Sequence, residues 1–259
     1  MEAGMKRVIV ALIVVALIAW AAVAFARWPH LPAAERGRRL AEHTGCFGCH
    51  GPGGTHGAGN PGRLDKTVPN FQDDVMMWAK TPDEIREWIH DGSTQRKRAS
   101  ETWRGERQKG ALKMPAFGKR LGARDIDDLT AYVLVMSGTP EPHDSLAIHG
   151  LARTEALGCD GCHGPGGRLA RTNPGSFKGY VPSWDSADFP DLVRDSTEFR
   201  EWVERGVARR LDTNPFARYF LRGAAVHMPA YHDHLERDDV SALWAYVQWL
   251  RAQAVKRGA

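Results

Sequence analysis

From Val8 to Ala26 the chain carries no charged residue, a run of 19 positions preceded by Lys6 and Arg7. A helix rising about 1.5 Å per residue would stretch that run across roughly the 30 Å hydrocarbon layer of a bilayer. The basic residues before it predict a cytoplasmic N-terminus, with everything after Arg27 on the far side of the membrane. Ala24-Phe25-Ala26 also fits the small-x-small cleavage pattern of a signal peptide, so removal after Ala26 is the competing expectation. Downstream the pattern changes. Leu129, Val133 and Met136 fall at i, i+4 and i+7 and predict an amphipathic helix from Ala123 to Met136. Similar stretches run from Pro82 to His90, from Thr197 to Arg205 and from Arg237 to Ala254. No convincing strand pattern is present, so the predicted class is all-α.

The halves repeat each other. Gly51-Pro52-Gly53-Gly54 returns as Gly164-Pro165-Gly166-Gly167, Asn60-Pro61-Gly62 as Asn173-Pro174-Gly175, and Val68-Pro69 as Val181-Pro182, all 113 positions later. One inserted residue then makes the offset 114. Arg86-Glu87-Trp88 matches Arg200-Glu201-Trp202, Met114-Pro115-Ala116-Phe117 matches Met228-Pro229-Ala230-Tyr231, and Ala131-Tyr132-Val133 matches Ala245-Tyr246-Val247. Matches in one order over a unit of about 110 residues predict a tandem duplication of a domain-sized unit. The connector Gly138-Thr139-Pro140-Glu141-Pro142-His143-Asp144 holds two prolines that oppose helix continuation. The expected division is an N-terminal segment 1–27, a first domain 28–140 and a second domain 141–259.

Composition adds little. The 259 residues are 25% charged and 42% apolar with a net charge of +4, an ordinary globular balance that suits two modest domains. Neither the charge nor any motif calls for nucleic acid.

The four cysteines add a great deal. All lie in Cys46-Phe47-Gly48-Cys49-His50 and Cys159-Asp160-Gly161-Cys162-His163. A C-x-x-C-H run is the attachment sequence of c-type haem: two neighbouring thiols add across the porphyrin vinyl groups, and the histidine supplies an imidazole to the iron. Disulfides within so tight a spacing usually mark redox sites. Zinc is disfavoured too, because the pairs lie too far apart for a compact structural site. Two covalent haems are therefore expected, one per half.

A second axial ligand should come from far along the chain. Met114 and Met228 follow His50 and His163 by 64 and 65 residues, each ahead of a proline that stiffens the loop. A thioether favours ferrous iron and raises the potential. Met76, Met77 and Met136 read instead as flexible core fillers. His227, His232 and His234 lie beside Met228, and one of them is the alternative ligand in the second half. His56 reads as an exposed loop residue and the remaining histidines as surface. Phe71, Trp184, Trp88 and Trp202 stand at repeated positions and are expected to pack the core, whereas Trp103 has no counterpart and is expected at the surface.

With these residues in view, the chain resembles class I (mitochondrial-type) cytochrome c domains in tandem, as in membrane-anchored dihaem cytochromes of bacteria. The likeness rests on Gly37 and Leu40 before C-x-x-C-H, the proline loop after it, the Met-Pro loop and the closing Ala-Tyr-Val helix. It covers most of 33–136 and 147–250. It implies a helical wrap around each haem, with first and last helices crossing near Gly37/Tyr132 and Gly150/Tyr246. It also implies that a carbonyl at Pro61 or Pro174 accepts the ligand histidine Nδ1–H.

The first half departs from short family members in a basic stretch. Arg96, Lys97, Arg98, Arg104, Arg107, Lys109 and Lys113 face only Glu101 and Glu106. It is either a solvated loop with an arginine or two on the haem propionates, or a docking face for an acidic redox partner. Arg209, Arg210, Arg218 and Arg222 occupy a comparable region of the second half. The expected function is single-electron transfer between a membrane-bound redox complex and another redox protein, outside the cytoplasm at the bacterial inner membrane. The rivals are a dihaem peroxidase, which needs two inequivalent irons, and the cytochrome subunit of an oxidoreductase complex.

Overall fold

The uncharged N-terminal stretch forms α1 (Glu2–Ala26), whose span Arg7–Phe25 is long and apolar enough to cross a membrane. Its Leu12, Ile18 and Trp20 are exposed, so no protein core explains their apolar character. This computed structural model describes residues 2–26, 31–72, 75–138 and 142–256. Part of the expected connector, 139–141, and the Met76 side chain lie outside the described residues.

The first unit runs through α2 (Ala33–His43), the attachment turn α3 (Phe47–His50), α4 (Val75–Trp78) and α5 (Pro82–Asp91). Two short helices follow, α6 (Gln95–Ala99) and α7 (Glu101–Lys109), before the closing α8 (Ala123–Met136). Helix α5 shows why the middle element forms. Thr81 caps it by accepting the Glu84 N–H, Pro82 sits at its first position, and Ile85 and Ile89 bury one face. Gly92 then ends it at φ 71°.

The second unit repeats the order: α9 (Ser145–Ala156), α10 (Asp160–His163), α11 (Phe189–Leu192), α12 (Ser196–Arg205), α13 (Arg209–Asp212), α14 (Pro215–Gly223) and α15 (Asp239–Lys256). The closing helix α15 starts two residues later than the pattern predicts, at the buried Asp239 that accepts the Glu236 N–H. Among the described residues the all-α expectation holds except for a two-residue antiparallel pair, β1 (Arg171–Thr172) with β2 (Tyr180–Val181). A single bridge, Gly59 with Thr67, stands at the matching place in the first unit. Both pinch a loop shut and are too short to leave an alternating pattern.

Each unit is held by one crossing of its first and last long helices, α2 on α8 and α9 on α15. A Cβ on Gly37 would stand 1.9 Å from the Asp128 carbonyl oxygen, and one on Gly150 would stand 2.0 Å from that of Ala242. Only glycine permits such an approach. Both crossings are centred one turn before the tyrosine, at Asp128 before Tyr132 and at Ala242 before Tyr246, close to the expected places. Arg36 clasps Asp128 through two bonds of 2.6 and 2.7 Å, and Arg153 bonds Asp239 at 2.8 Å. Each unit has its own core, around Ile85, Leu129 and Val133 in the first and Phe199, Leu243 and Val247 in the second. Leu169 of the second unit joins the first unit's core.

Candidate haem sites

The attachment turns are built by backbone bonds just past α2 and α9. Cys46 N–H reaches back to Ala41 O at 2.9 Å and His50 N–H to Cys46 O at 3.0 Å, so Cys46, Cys49 and His50 share one helical turn. Cys159, Cys162 and His163 share the matching turn, with Cys159 N–H on Thr154 O at 2.9 Å. Gly51 and Gly164, at φ 76° and 75°, then reverse the chain.

Each imidazole is oriented from behind. The Nδ1–H of His50 donates to Pro69 O at 2.8 Å and that of His163 to Pro182 O at 3.2 Å, which leaves Nε2 as the free lone pair. The expectation of Pro61 and Pro174 in this role is corrected. Their carbonyls accept Ala111 N–H and Ala225 N–H at 2.9 and 2.8 Å, and so tie the proline loop to the chain entering the Met-Pro segment. Phe71 and Trp184 pack against the same imidazoles, with centroids 4.7 and 5.0 Å apart. Burial pushes the His50 imidazole below its ordinary value and that of His163 down to about 4, so both rings are neutral, as a metal ligand must be. Burial raises the Cys46 thiol and pushes Cys159 up to about 11.

The methionines are presented by a second shared device. Gly92 and Gly206 end the middle helices directly against the Met114 and Met228 carbonyls, where a Cβ would fall at 2.5 and 2.4 Å. Phe117 N–H on Ile89 O and Tyr231 N–H on Val203 O, both 3.0 Å, fasten the segment beyond each methionine. A buried asparagine fastens the segment before it. Asn60 bonds both Leu112 O and Leu112 N–H, and Asn173 does the same to Val226. The repeat displayed these asparagines, but only the structure gives them a task. Met114 and Met228 are half-buried against their cores, whereas His227, His232 and His234 are exposed.

In the first unit Cys46, Cys49, His50 and Met114 line one cavity of about 380 Å³. Val75, Ile85, Ile89, Leu129 and Val133 supply apolar wall, while Arg63, Trp103 and Arg107 line it as polar groups. The Trp103 Nε1–H is buried without a hydrogen-bond partner among the described residues. Thiols, a neutral imidazole, a thioether, apolar walls and an orphaned donor beside guanidinium groups together fit a haem with its propionates. Trp103 is therefore a cavity residue rather than a surface one. Met77, expected in the core, is instead 75% exposed.

The basic stretch is largely consumed locally. Arg96 pairs with Glu84 at 2.7 Å, Arg98 with Asp91 at 3.3 Å and Lys109 with Glu106 at 2.7 Å. Arg104 and Lys113 donate to backbone carbonyls. Arg107 donates to Gly92 O and Met114 O at 3.4 and 3.3 Å, so it steadies the ligand segment; the matching position is Leu221. A docking face made of free cations is not what this stretch forms.

The family model described as Cytochrome c matches residues 34–137, the span that holds the first attachment turn, the asparagine clamp and Met114. Over residues 34–137 the chain is thus similar to cytochrome c domains. The chain also has distant relatives among oxidase subunits. The chain is 31% identical over 130 residues to a cbb3-type cytochrome c oxidase subunit FixP of Azorhizobium caulinodans, covering 50% of this chain and 38% of that one. It is 32% identical over 125 residues to the FixP of Bradyrhizobium diazoefficiens, covering 48% and 37%. The chain thus spans under two fifths of the length of either relative. No solved structure matches it significantly.

Proposed function

We propose that the chain is a dihaem electron carrier. Cys46 with Cys49 and Cys159 with Cys162 anchor the porphyrins, and His50/Met114 and His163/Met228 are the axial pairs. Residues 28–140 and 141–259 would each enclose one haem, behind an anchor within 1–27. The observation that carries the reading is the doubled cradle: a proline carbonyl behind each imidazole, and a glycine-ended helix with an asparagine clamp behind each methionine.

The haem, when bound, supplies an iron that gains or loses one electron. The chain's residues do the rest. Pro69 and Pro182 keep the imidazole tautomer fixed, and the Met-Pro loops hold a soft sulfur that favours the reduced metal. The apolar walls keep water away, so little needs to reorganise around the change in charge. No side chain has to move a proton.

Helix α1 supports attachment at the periplasmic side of a bacterial inner membrane. The FixP relatives bear the name of oxidase subunits, which supports a membrane-bound oxidase-type complex as donor or acceptor, with a second redox protein on the other side of the transfer. Two similar cradles favour a conduit over a peroxidase, whose irons must differ. Intact-mass analysis of membrane-extracted protein should show two haem additions with α1 retained, and the spectrum should be low-spin. One haem or none, or a high-spin iron at neutral pH that turns over peroxide, would overturn the reading.

A further inference from the structure

We infer that the outer face of α14 is the docking surface for a redox partner protein whose contact face is apolar at its centre and carboxylate-bearing around it. The inference rests on the electron-carrier reading above.

Helix α14 stands where α7 stands in the first unit, 114 positions later. The inward positions of α7 include Trp103 and Arg107, which line the cavity; their matches Ala217 and Leu221 are half-buried. The outward positions of α7 are Thr102, Arg104, Gly105 and Gln108, an ordinary solvated face. At those four places α14 carries Phe216, Arg218, Tyr219 and Arg222. Phe216 is 55% exposed and Tyr219 73%. A surface that the first copy keeps polar is thus aromatic and arginine-rich in the second.

Both halves of that surface point to a protein ligand. Phe216 packs edge-on against Phe177 and Phe220 at 5.6 and 5.1 Å, and Tyr219 against Phe220 at 5.2 Å, so the aromatic plate is rigid before any partner arrives. Rigid aromatics and arginine are the residue types that carry binding energy at interfaces. Neighbouring Arg209 and Arg210 are spent on Glu201 and Glu198. The side chains of Arg218 and Arg222 make no ion pair or hydrogen bond among the described residues. Two unspent guanidinium forks beside an apolar plate complement carboxylates at the rim of a partner's face.

Position gives the face its purpose. Helix α14 ends at Gly223, the chain then bonds Pro174 and Asn173 through Ala225 and Val226, and Met228 follows at once. A shallow recess opens between α14 and Gly175. A protein seated here lies beside the second haem's methionine loop.

The test uses the full haem-loaded chain and, as probe, an acidic blue-copper protein with a carboxylate-rich face. Its redox-inactive cadmium form serves for calorimetry. Wild-type binding should weaken by about tenfold or more in Arg218→Glu/Arg222→Glu, which should also flatten the salt dependence, and comparably in Phe216→Ser/Tyr219→Ser. Arg104→Glu, the match of Arg218 on α7, should bind like wild type. Three results would overturn the proposal: no wild-type binding, or binding unchanged in both variants; loss in the variants of binding to phosphatidylglycerol vesicles with the copper protein unaffected, which makes the face a membrane contact; or wild-type self-association abolished by the variants. Calorimetry with the cadmium form needs no electron transfer, and haem is counted by mass on the same samples. Failure of docking and failure of the carrier reading are therefore read separately.

Discussion

Set side by side, the first and second units differ little around the imidazole and methionine and sharply along the helix that flanks them. His50 and His163, Asn60 and Asn173, and Gly92 and Gly206 keep the same partners 113 or 114 positions apart. From α7 to α14, Trp103 becomes Ala217, Arg107 becomes Leu221, and Gly105 becomes Tyr219. The inner parts of a duplicated site are tied by bonds that few substitutions satisfy. The flanking helix meets fewer such demands and is free to specialise, inward toward its cavity in one copy and outward in the other.

The comparison can be broken at several levels. The largest effect is expected at the helix crossings, where Gly37→Val and Gly150→Val each drive a side chain into a carbonyl. Each should cost about 3 kcal/mol, read as a lowered melting transition; a variant with unchanged melting would show that the helices can part without loss. Next come the proposed ligands. Met114→Ala should move one of two redox waves to lower potential and leave the other in place, and Met228→Ala should do the reverse. Movement of both waves in either variant would mean that the units do not act as separate sites.

A smaller effect tests the divergent helix. Arg107→Leu removes a cation and two long hydrogen bonds behind Met114, a loss of about 1 kcal/mol. The first unit's potential should fall toward that of the second, while Leu221→Arg should raise the second; a redox titration reads both. The smallest effect belongs to a feature the units share. Hydrogen bonding to the Arg96 guanidinium holds the Glu84 carboxyl down to about 2, and Arg210 likewise lowers Glu198. Stability from the first pair is therefore whole above the ordinary carboxylate range and drains away as the pH falls through about 2. Both partners are near solvent, so Glu84→Gln and Glu198→Gln should lower acid-region melting points only slightly and by similar amounts.

What could be read in advance was what recurs. The attachment runs, the two Met-Pro segments and the closing helices stand out because a duplicated chain prints them twice at one spacing. The bounds of α8 fell where the periodicity put them. The proline behind the imidazole did not, since Pro61 and Pro69 are both repeated and only the path of the loop decides which carbonyl faces Nδ1. Repetition also misled. Trp103 looked superficial because position 217 holds alanine, yet it turns inward for a need the second unit does not share. Arg107 was one cation among seven, and only its distance from the Met114 carbonyl separates it from the rest.

Leu169 binds its N–H to the carbonyl of His163 at 3.1 Å, is 1% exposed and sits among the apolar side chains of the other unit. At this point the halves meet through packed side chains. On the proposed dihaem reading, an electron passing between the halves can cross packed atoms here instead of waiting for a collision, and thickening the solvent with glycerol should leave the speed of that passage unchanged.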